Sequence, residues 1–526
     1  MVKKVNNIKT KSKKVNNTKP KKKCLYLKSS KVVIPPEIEH LAQNLAKNVQ
    51  EKLIEKYTKT NEYISFPESA SLENADYEKL DLEYTKAELM DLSHISMNDL
   101  AKQRDKTSNL NYAYSDTIST HLSSNDQLYT GRCWIFAGLN ALRHELIKNY
   151  NLSPDFNLSA GYLFFYDKLE KANIFMEKMI LNRKKDYDHI EIRDLLYYPA
   201  SDGGWFEWFR NLVIKYGVVP NYAYNECYNS EVSNEINKIL RLKLLEFTTK
   251  LRTINGENLK TELLKLKADY LQNIYNILRQ CLGKPPSVFD WKYYEKQKRC
   301  GKSSKLIYRC EENLTPLDFF KNYIDATYNI NNKVHLVHDP RQEILLYNKY
   351  GRSNDSNMVH GEIVVKIPIK LEEMKESIMN SIKGDEPCWV SCDVNKNIEF
   401  MYNILSVDMF NYKTMFKTTF DLSKEELYRM HINGATHAML IVGYDKQEKE
   451  VMPNKWKLLN SWGYIYSHIE NADPGYLNMM DDWFDNHVYG VIIDSKFVNP
   501  EIMAKINSNK NIIKVNYSDP LASMPN

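Results

Sequence analysis

Along this chain the spacing of apolar residues changes character more than once. The first 36 residues carry almost nothing apolar, and "KKVNNIK" at 3–9 returns as "KKVNNTK" at 13–19, so this stretch is predicted to stay disordered. From "PPEIEHLAQNLAKNVQEKLIEKYTK" the period becomes helical, with Pro36 near a helix start. Ile135, Leu139, Leu142 and Leu146 then recur at helical spacing behind a Gly-containing turn. A second amphipathic run, "SAGYLFFYDKLEKANIFMEKMI", follows, and "SDGGWFEWFRNLVIKYGVVP" reads as a turn entering a third. Residues 226–330 are rich in Lys, Glu and Leu and read as paired helices. After about residue 331 the runs shorten and become β-branched or aromatic between turn residues: "EPCWVSCDV", "HAMLIVGYD", "KWKLLNSWG" and "VYGVIID" are predicted strands. The pattern predicts an α+β protein with these parts: a Lys-rich tail (1–36), an N-terminal helical arm (37–118), a helical lobe (119–225), a helical insertion (226–330), a strand-rich lobe (331–500) and a C-terminal arm (501–526).

Composition narrows the class of molecule. At 526 residues, with 43% hydrophobic and 26% charged residues, the chain can bury a large core. The formal net charge is +5, but residues 1–36 hold twelve lysines and no acidic residue, which leaves −7 on the rest. Nucleic-acid binding is therefore expected, at most weakly, from the tail and not from the body. No apolar run reaches the ~18 residues of a membrane span, and the basic start leads to no signal-peptide core. The eight cysteines form no CxxC pair, so no structural zinc site is expected, and a reducing, cytoplasmic location is predicted.

Cys133 opens the helix-patterned run, where unpaired N–H groups and the helix dipole favour a thiolate, so its pKa is expected below the free value of ~8.5. A thiolate nucleophile needs a base, a group that orients the base, and donors for an oxyanion. His437, in "GATHAMLIVGYD", is delivered by a small-residue turn to the mouth of an apolar strand. Asn460, at the end of the next predicted strand, can accept from one imidazole nitrogen and leave the other facing sulfur, with Trp462 shielding the bond. Gln127, six residues before Cys133, can reach back over the turn so that its amide and the Cys133 backbone N–H donate to an oxyanion. Cys392 and His431 are read as structural.

The set Gln127, Cys133-Trp134, His437 and Asn460-Ser461-Trp462-Gly463 resembles the papain-like cysteine peptidases in type and order, and within them the bleomycin hydrolase/aminopeptidase C family. "GRCWIF", "SDGGWFEWFRNLVIKYGVVP", "CLGKPPSVFDW", "TPLDFF", "HDPR", "YNKY", "SNMV", "CDVNK", "THAM" and "GYLNMMDDWF" carry the resemblance from about residue 119 onward. It implies a two-lobe fold with catalytic Cys133, His437 and Asn460, oxyanion donor Gln127, and substrate binding by Gly203 and Gly204. It also implies peptide substrates, no metal or cofactor, a homohexamer, and a C-terminal arm whose last carboxylate, on Asn526, meets the substrate's α-ammonium in the cleft. Two alternatives stay open: an endopeptidase, if the divergent tip "MPN" leaves the cleft unblocked, or a nucleic-acid-binding protein acting through the Lys-rich tail.

Overall fold

One helix, α1 (Cys133–Tyr150), is the element on which both halves of the chain converge. In the computed structural model, residues 93–522 are described, apart from 109, 300–301, 354, 433, 465–472 and 517–518. The Lys-rich tail, most of the N-terminal arm and Asn526 lie outside the described residues. Residues 94–526 constitute one unit of the chain. Every residue of α1 from Trp134 to Ile147 is buried, including Asn140, Arg143, His144 and Glu145, so this is a core helix rather than a half-exposed one. Its C-terminal residue is followed by Asn151 in the left-handed conformation (φ 53°), whose N–H closes on the Ile147 carbonyl.

Helix α2 (Ala160–Leu181) starts where the Ser159 hydroxyl accepts from the Tyr162 N–H at 3.1 Å. The short α3 (Ile190–Tyr197) and α4 (Phe206–Tyr216) follow. Next come α5 (Asn234–Thr253) and α6 (Leu259–Leu282), which pack on each other and on α2. Leu240, Leu244, Phe247 and Leu251 on α5 and Tyr270, Ile274 and Leu278 on α6 form the buried stripes, at the three- and four-residue spacing read from the sequence.

The insertion is not helical throughout. Strands β1 (Phe289–Arg299) and β2 (Lys302–Leu314) form an antiparallel hairpin. Its base is fixed by Trp291, fully buried and packed edge-on to Phe319 at 4.9 Å and stacked on Tyr293 at 5.6 Å. Tertiary burial of one aromatic face overrode a Lys- and Glu-rich composition that favoured helix.

The remaining strands are β3 (Lys333–Val337), β4 (Lys349–Gly351), β5 (Ile367–Pro368), β6 (Cys388–Cys392), β7 (His437–Asp445), β8 (Lys455–Leu459), β9 (Tyr476–Met480), β10 (Val488–Asp494) and β11 (Ile512–Lys514), with helix α7 (Leu371–Lys383) before β6. The main sheet runs β5–β3–β10–β6–β7–β8–β9, continued by short strands at 404–405 and 398–399. Strand β7 is buried from His437 to Tyr444, and both α1 and α7 pack on it. A strand covered on both faces reads as a continuous apolar run instead of an alternating one, as "HAMLIVGY" does.

The C-terminal arm returns along the outside of this sheet. Strand β11 pairs in parallel with β4. Beyond it, Arg341 donates to both oxygens of Asp519 at 3.0 and 2.9 Å while also gripping Asp339. Leu521 fills a small apolar cluster with Val337 and Tyr350. The Lys366 amine donates to the carbonyls of Pro520 and Ala522, both at 3.2 Å, and lies 4.1 Å from the centre of the Trp205 ring.

Candidate active site

The start of α1 is shaped by the residues just before it. The Arg132 side chain is wholly buried: Nε donates to Thr130 Oγ1 at 3.1 Å and Nη1 to Glu226 Oε2 at 2.9 Å, with the guanidinium between the Phe136 and Phe164 rings. A paired carboxylate and two aromatic faces offset part of the cost of burying this guanidinium, whose Nη2 has no hydrogen-bond partner among the described residues, and it fixes the turn that presents the next residue, Cys133.

A strap formed by residues 201–204 is stapled across this turn. Asp202 accepts from the Gly131 N–H at 3.1 Å, from Lys168 Nζ at 2.6 Å and from Asn237 Nδ2 at 2.8 Å, and its carbonyl accepts from Trp134 Nε1 at 2.8 Å. Burial alone would push this carboxyl up, but Lys168 and the other donors hold it well below the usual carboxylate range. Gly204 lies flat on Trp134: a Cβ there would meet the indole at 2.5 Å, so the strap's close approach requires glycine. The sequence reading passed over Asp202 and Lys168. The only available signal was an acidic residue immediately before Gly203-Gly204, whose lysine partner lies 34 residues away.

The other wall comes from the sheet. His437 is the first residue of β7 and pairs in register with Cys392 of β6. Asn460 follows directly after β8, the neighbour of β7, so adjacent strand ends bring the two side chains together. His437 Nε2 donates to Asn460 Oδ1 at 2.8 Å, and the same oxygen accepts from the Ser461 N–H at 2.8 Å. An amide oxygen can only accept, so Nε2 carries the proton and Nδ1 keeps its lone pair. The Trp462 ring covers the imidazole at 4.7 Å between centroids.

Residues 125–127 clip onto the same segment. The Gln127 N–H donates to the Ser461 carbonyl at 2.9 Å and the Gly463 N–H to the Asn125 carbonyl at 2.8 Å. The Gln127 side chain is held at both ends: Oε1 accepts from Ser461 Oγ at 2.7 Å, and Nε2 donates to the Thr130 carbonyl at 2.7 Å. An amide nitrogen has two hydrogens, so one donor remains.

Gln127, Cys133, Gly203, Gly204, His437 and Trp462 all line one cleft of about 290 Å³, with Trp205 and Trp389 deeper in the wall. Asn460 stands behind His437. Of the residues read from the sequence as functional, only Asn526 is not placed. Among the described residues, no group of three or more His, Cys, Asp or Glu could hold a metal ion, and no helix is long and apolar enough to cross a membrane.

The electrostatics correct one expectation. Cys133 was expected to have a depressed pKa, but burial pushes its thiol up to about 11, outweighing the backbone groups of Ala438, Trp134 and Cys133 that favour the thiolate, while Asp202 adds to the rise. Burial also pushes His437 down to about 4 against the hydrogen bond to Asn460. Between these values the two groups are a thiol and a neutral imidazole. The pH profile follows. As pH falls through about 4 the imidazole protonates, and near 11 the thiol loses its proton. We expect kcat/KM to be flat across neutrality with an acid limb near 4; an acid limb near the ordinary histidine value of ~6.5 would show that His437 is not held as described.

Comparison with known proteins places this geometry. The Peptidase C1-like family matches residues 71–522. Bleomycin hydrolase from Homo sapiens is 31% identical over 404 residues, covering 76% of this chain and 85% of that protein. Aminopeptidase C from Listeria monocytogenes is 31% identical over 411 residues, covering 78% and 88%. The crystal structure of PepW from Lactobacillus rhamnosis HN001 superposes with a TM-score of 0.77 at 28% identity, covering 88% of this chain and 99% of that one.

Proposed function

This chain belongs to the Peptidase C1-like family, and from that premise we propose that it is a cysteine aminopeptidase of the bleomycin hydrolase kind. The observation that carries the reading is the single cleft in which Cys133 opens a core helix opposite a His437–Asn460 pair, with Gln127 at the same mouth.

In this mechanism a peptide lies along Gly203 and Gly204, whose strap offers backbone groups and no side chains. The Cys133 sulfur attacks the first peptide carbonyl as its proton passes to His437 Nδ1. The oxyanion accepts from the Cys133 N–H and from the remaining Gln127 amide hydrogen. The imidazolium then protonates the leaving amine, giving an acyl-enzyme and a shortened peptide. Water, deprotonated by His437, attacks the thioester, and the amino acid leaves as the thiol is restored. Asn460 holds the ring orientation throughout.

The choice of the first peptide bond falls to the C-terminal arm. Arg341, Lys366 and the Leu521 cluster hold it as far as Ala522, and Lys366 sits on Trp205, which lines the cleft. The four remaining residues span at most about 14 Å extended, so the Asn526 carboxylate can meet the α-ammonium of a peptide only if the anchor is this close to the cleft. Deleting Met524–Asn526 is expected to let the enzyme cleave N-acetylated peptides and to move the first cut inward. If the truncated enzyme still cuts only next to free N-termini, the arm does not measure the substrate.

A cytoplasmic homohexamer is part of the same proposal, tested by fractionation and by particle mass in solution. Weak nucleic-acid binding through the tail would appear as a salt-dependent shift of DNA mobility that is lost without residues 1–36.

A further inference from the structure

Lys366 stands where the C-terminal arm, the sheet and the wall of the cleft meet. It immediately precedes β5 and is 5% exposed. Its main chain is fixed independently of its side chain: the Lys366 N–H donates to the Tyr350 carbonyl at 2.9 Å, and the Tyr350 N–H donates back at 2.8 Å. The amine donates to the carbonyls of Pro520 and Ala522 and rests on the Trp205 ring, which lines the catalytic cleft. Among the described residues no carboxylate forms an ion pair with it, although the charges of Asp355, Glu207, Asp519 and Asp339 act on it from farther away. A buried ammonium is ordinarily compensated by a paired carboxylate. Here two main-chain oxygens of the arm and one aromatic face take that place.

We propose that Lys366 is the positioning residue for the end of the arm: it fixes where, and in which direction, the chain leaves Ala522, and so which peptide bond of a substrate meets Cys133. One cation holds two carbonyls two residues apart, which sets a direction as well as a point. The other anchors act farther from the cleft. Asp519 and Leu521 are held by Arg341, Val337 and Tyr350, none of which lines it. Lys366 holds Ala522 and a residue of the cleft wall with the same amine. Trp205 is itself backed by His335, 6.0 Å away between ring centres and paired with Glu207 at 3.0 Å, so the ring is a fixed support. The dependence is mutual, because displacing the arm costs the buried amine both of its acceptors. The inference rests on the aminopeptidase reading, in which the arm selects the first peptide bond.

The test is Lys366→Met in the full chain, which keeps most of the stem against Trp205 but has neither charge nor donor. One peptide is offered with a free and with an acetylated N-terminus, and hydrogen exchange is followed at Leu521 and Ala522, whose N–H groups both donate to Asp519. For the free peptide KM is expected to rise about tenfold with kcat nearly kept, while cleavage of the acetylated peptide rises about tenfold and exchange protection falls. Opposite changes for the two substrates do not come from a general loss of structure. In a chain that also lacks Met524–Asn526 the substitution should add nothing to the change in selectivity. An unchanged ratio of the two peptides, an equal loss on both, or additive effects of substitution and truncation would overturn the proposal. Lys366→Gln, with one amide donor group at shorter reach, is read by the same criteria if the methionine variant does not fold. A wild-type enzyme that cuts both peptides equally would refute the aminopeptidase reading. Exchange at Leu521 and Ala522 then judges Lys366 by itself, lost protection upholding its role and retained protection overturning it.

Discussion

Cys133→Ala is expected to lower kcat by about 10⁶-fold, the scale seen when a covalent nucleophile is removed, with hydrolysis left to cleft binding and oxyanion donation alone. The loss should come without loss of the fold. The side chain is small, alanine is the strongest helix former, and the turn before the helix is fixed by Arg132, Glu226 and Asp202, not by the sulfur. Unchanged thermal unfolding beside a vanished turnover would therefore assign the effect to chemistry. Among the described residues no other thiol is placed to substitute. Cys388 and Cys392 are buried within β6, where burial pushes Cys388 up to about 12 and Cys392 well above the ordinary thiol value. Cys227, Cys281 and Cys310 are absent from the cleft lining. Iodoacetamide should reproduce the effect on wild-type enzyme. Because the resting thiol is protonated at neutral pH, that alkylation should slow sharply in His437→Ala, which removes the proton acceptor. Retained turnover in Cys133→Ala would refute the site as a whole.

The second large effect is expected at Gln127. Replacing it by alanine should reduce kcat by about 10²–10³-fold with a smaller change in KM, because its free amide hydrogen meets charge that exists only in the transition state. A packing role predicts something different. The side chain also braces Ser461 and the Thr130 carbonyl, so a structural loss would raise KM and lower the melting temperature together. Gln127→Glu separates the two. It keeps the acceptor for Ser461 and nearly the same shape, but sets a carboxylate against both the Thr130 carbonyl and the developing oxyanion. It should be worse than alanine in kcat. If glutamate is better tolerated than alanine, Gln127 is a brace and the oxyanion is stabilised elsewhere.

Much of this arrangement is visible in the residues themselves, and the parts that are not share a cause. The run "HAMLIVGYD" coincides with strand β7, and the helix start at Cys133 was marked by the preceding turn, because local period and local turn chemistry are written in neighbouring residues. His437 and Asn460 could be paired from sequence because each sits at a strand end. The hairpin at 289–314 was missed because its stability comes from Trp291 packing on Phe319, a contact across 28 residues that charged composition conceals. The upward pKa of Cys133 was missed for a related reason. The helix N-terminus is a local feature, but the burial that overrides it is supplied by the sheet and the strap. The Asp202–Lys168 pair likewise exists only once distant segments meet.

The spacing of the catalytic set has a consequence for the protein's own biosynthesis. The nucleophile and its turn emerge early, but the turn depends on Glu226, the base lies at 437 and its orienting amide at 460, clipped by Ser461 to Gln127. A nascent chain still on the ribosome, or one truncated anywhere before β8, thus carries a cysteine at a helix start without a proton acceptor held in place. Proteolytic competence therefore requires synthesis to pass residue 460. Fragments that end before β8 should be inactive although they hold Cys133 intact.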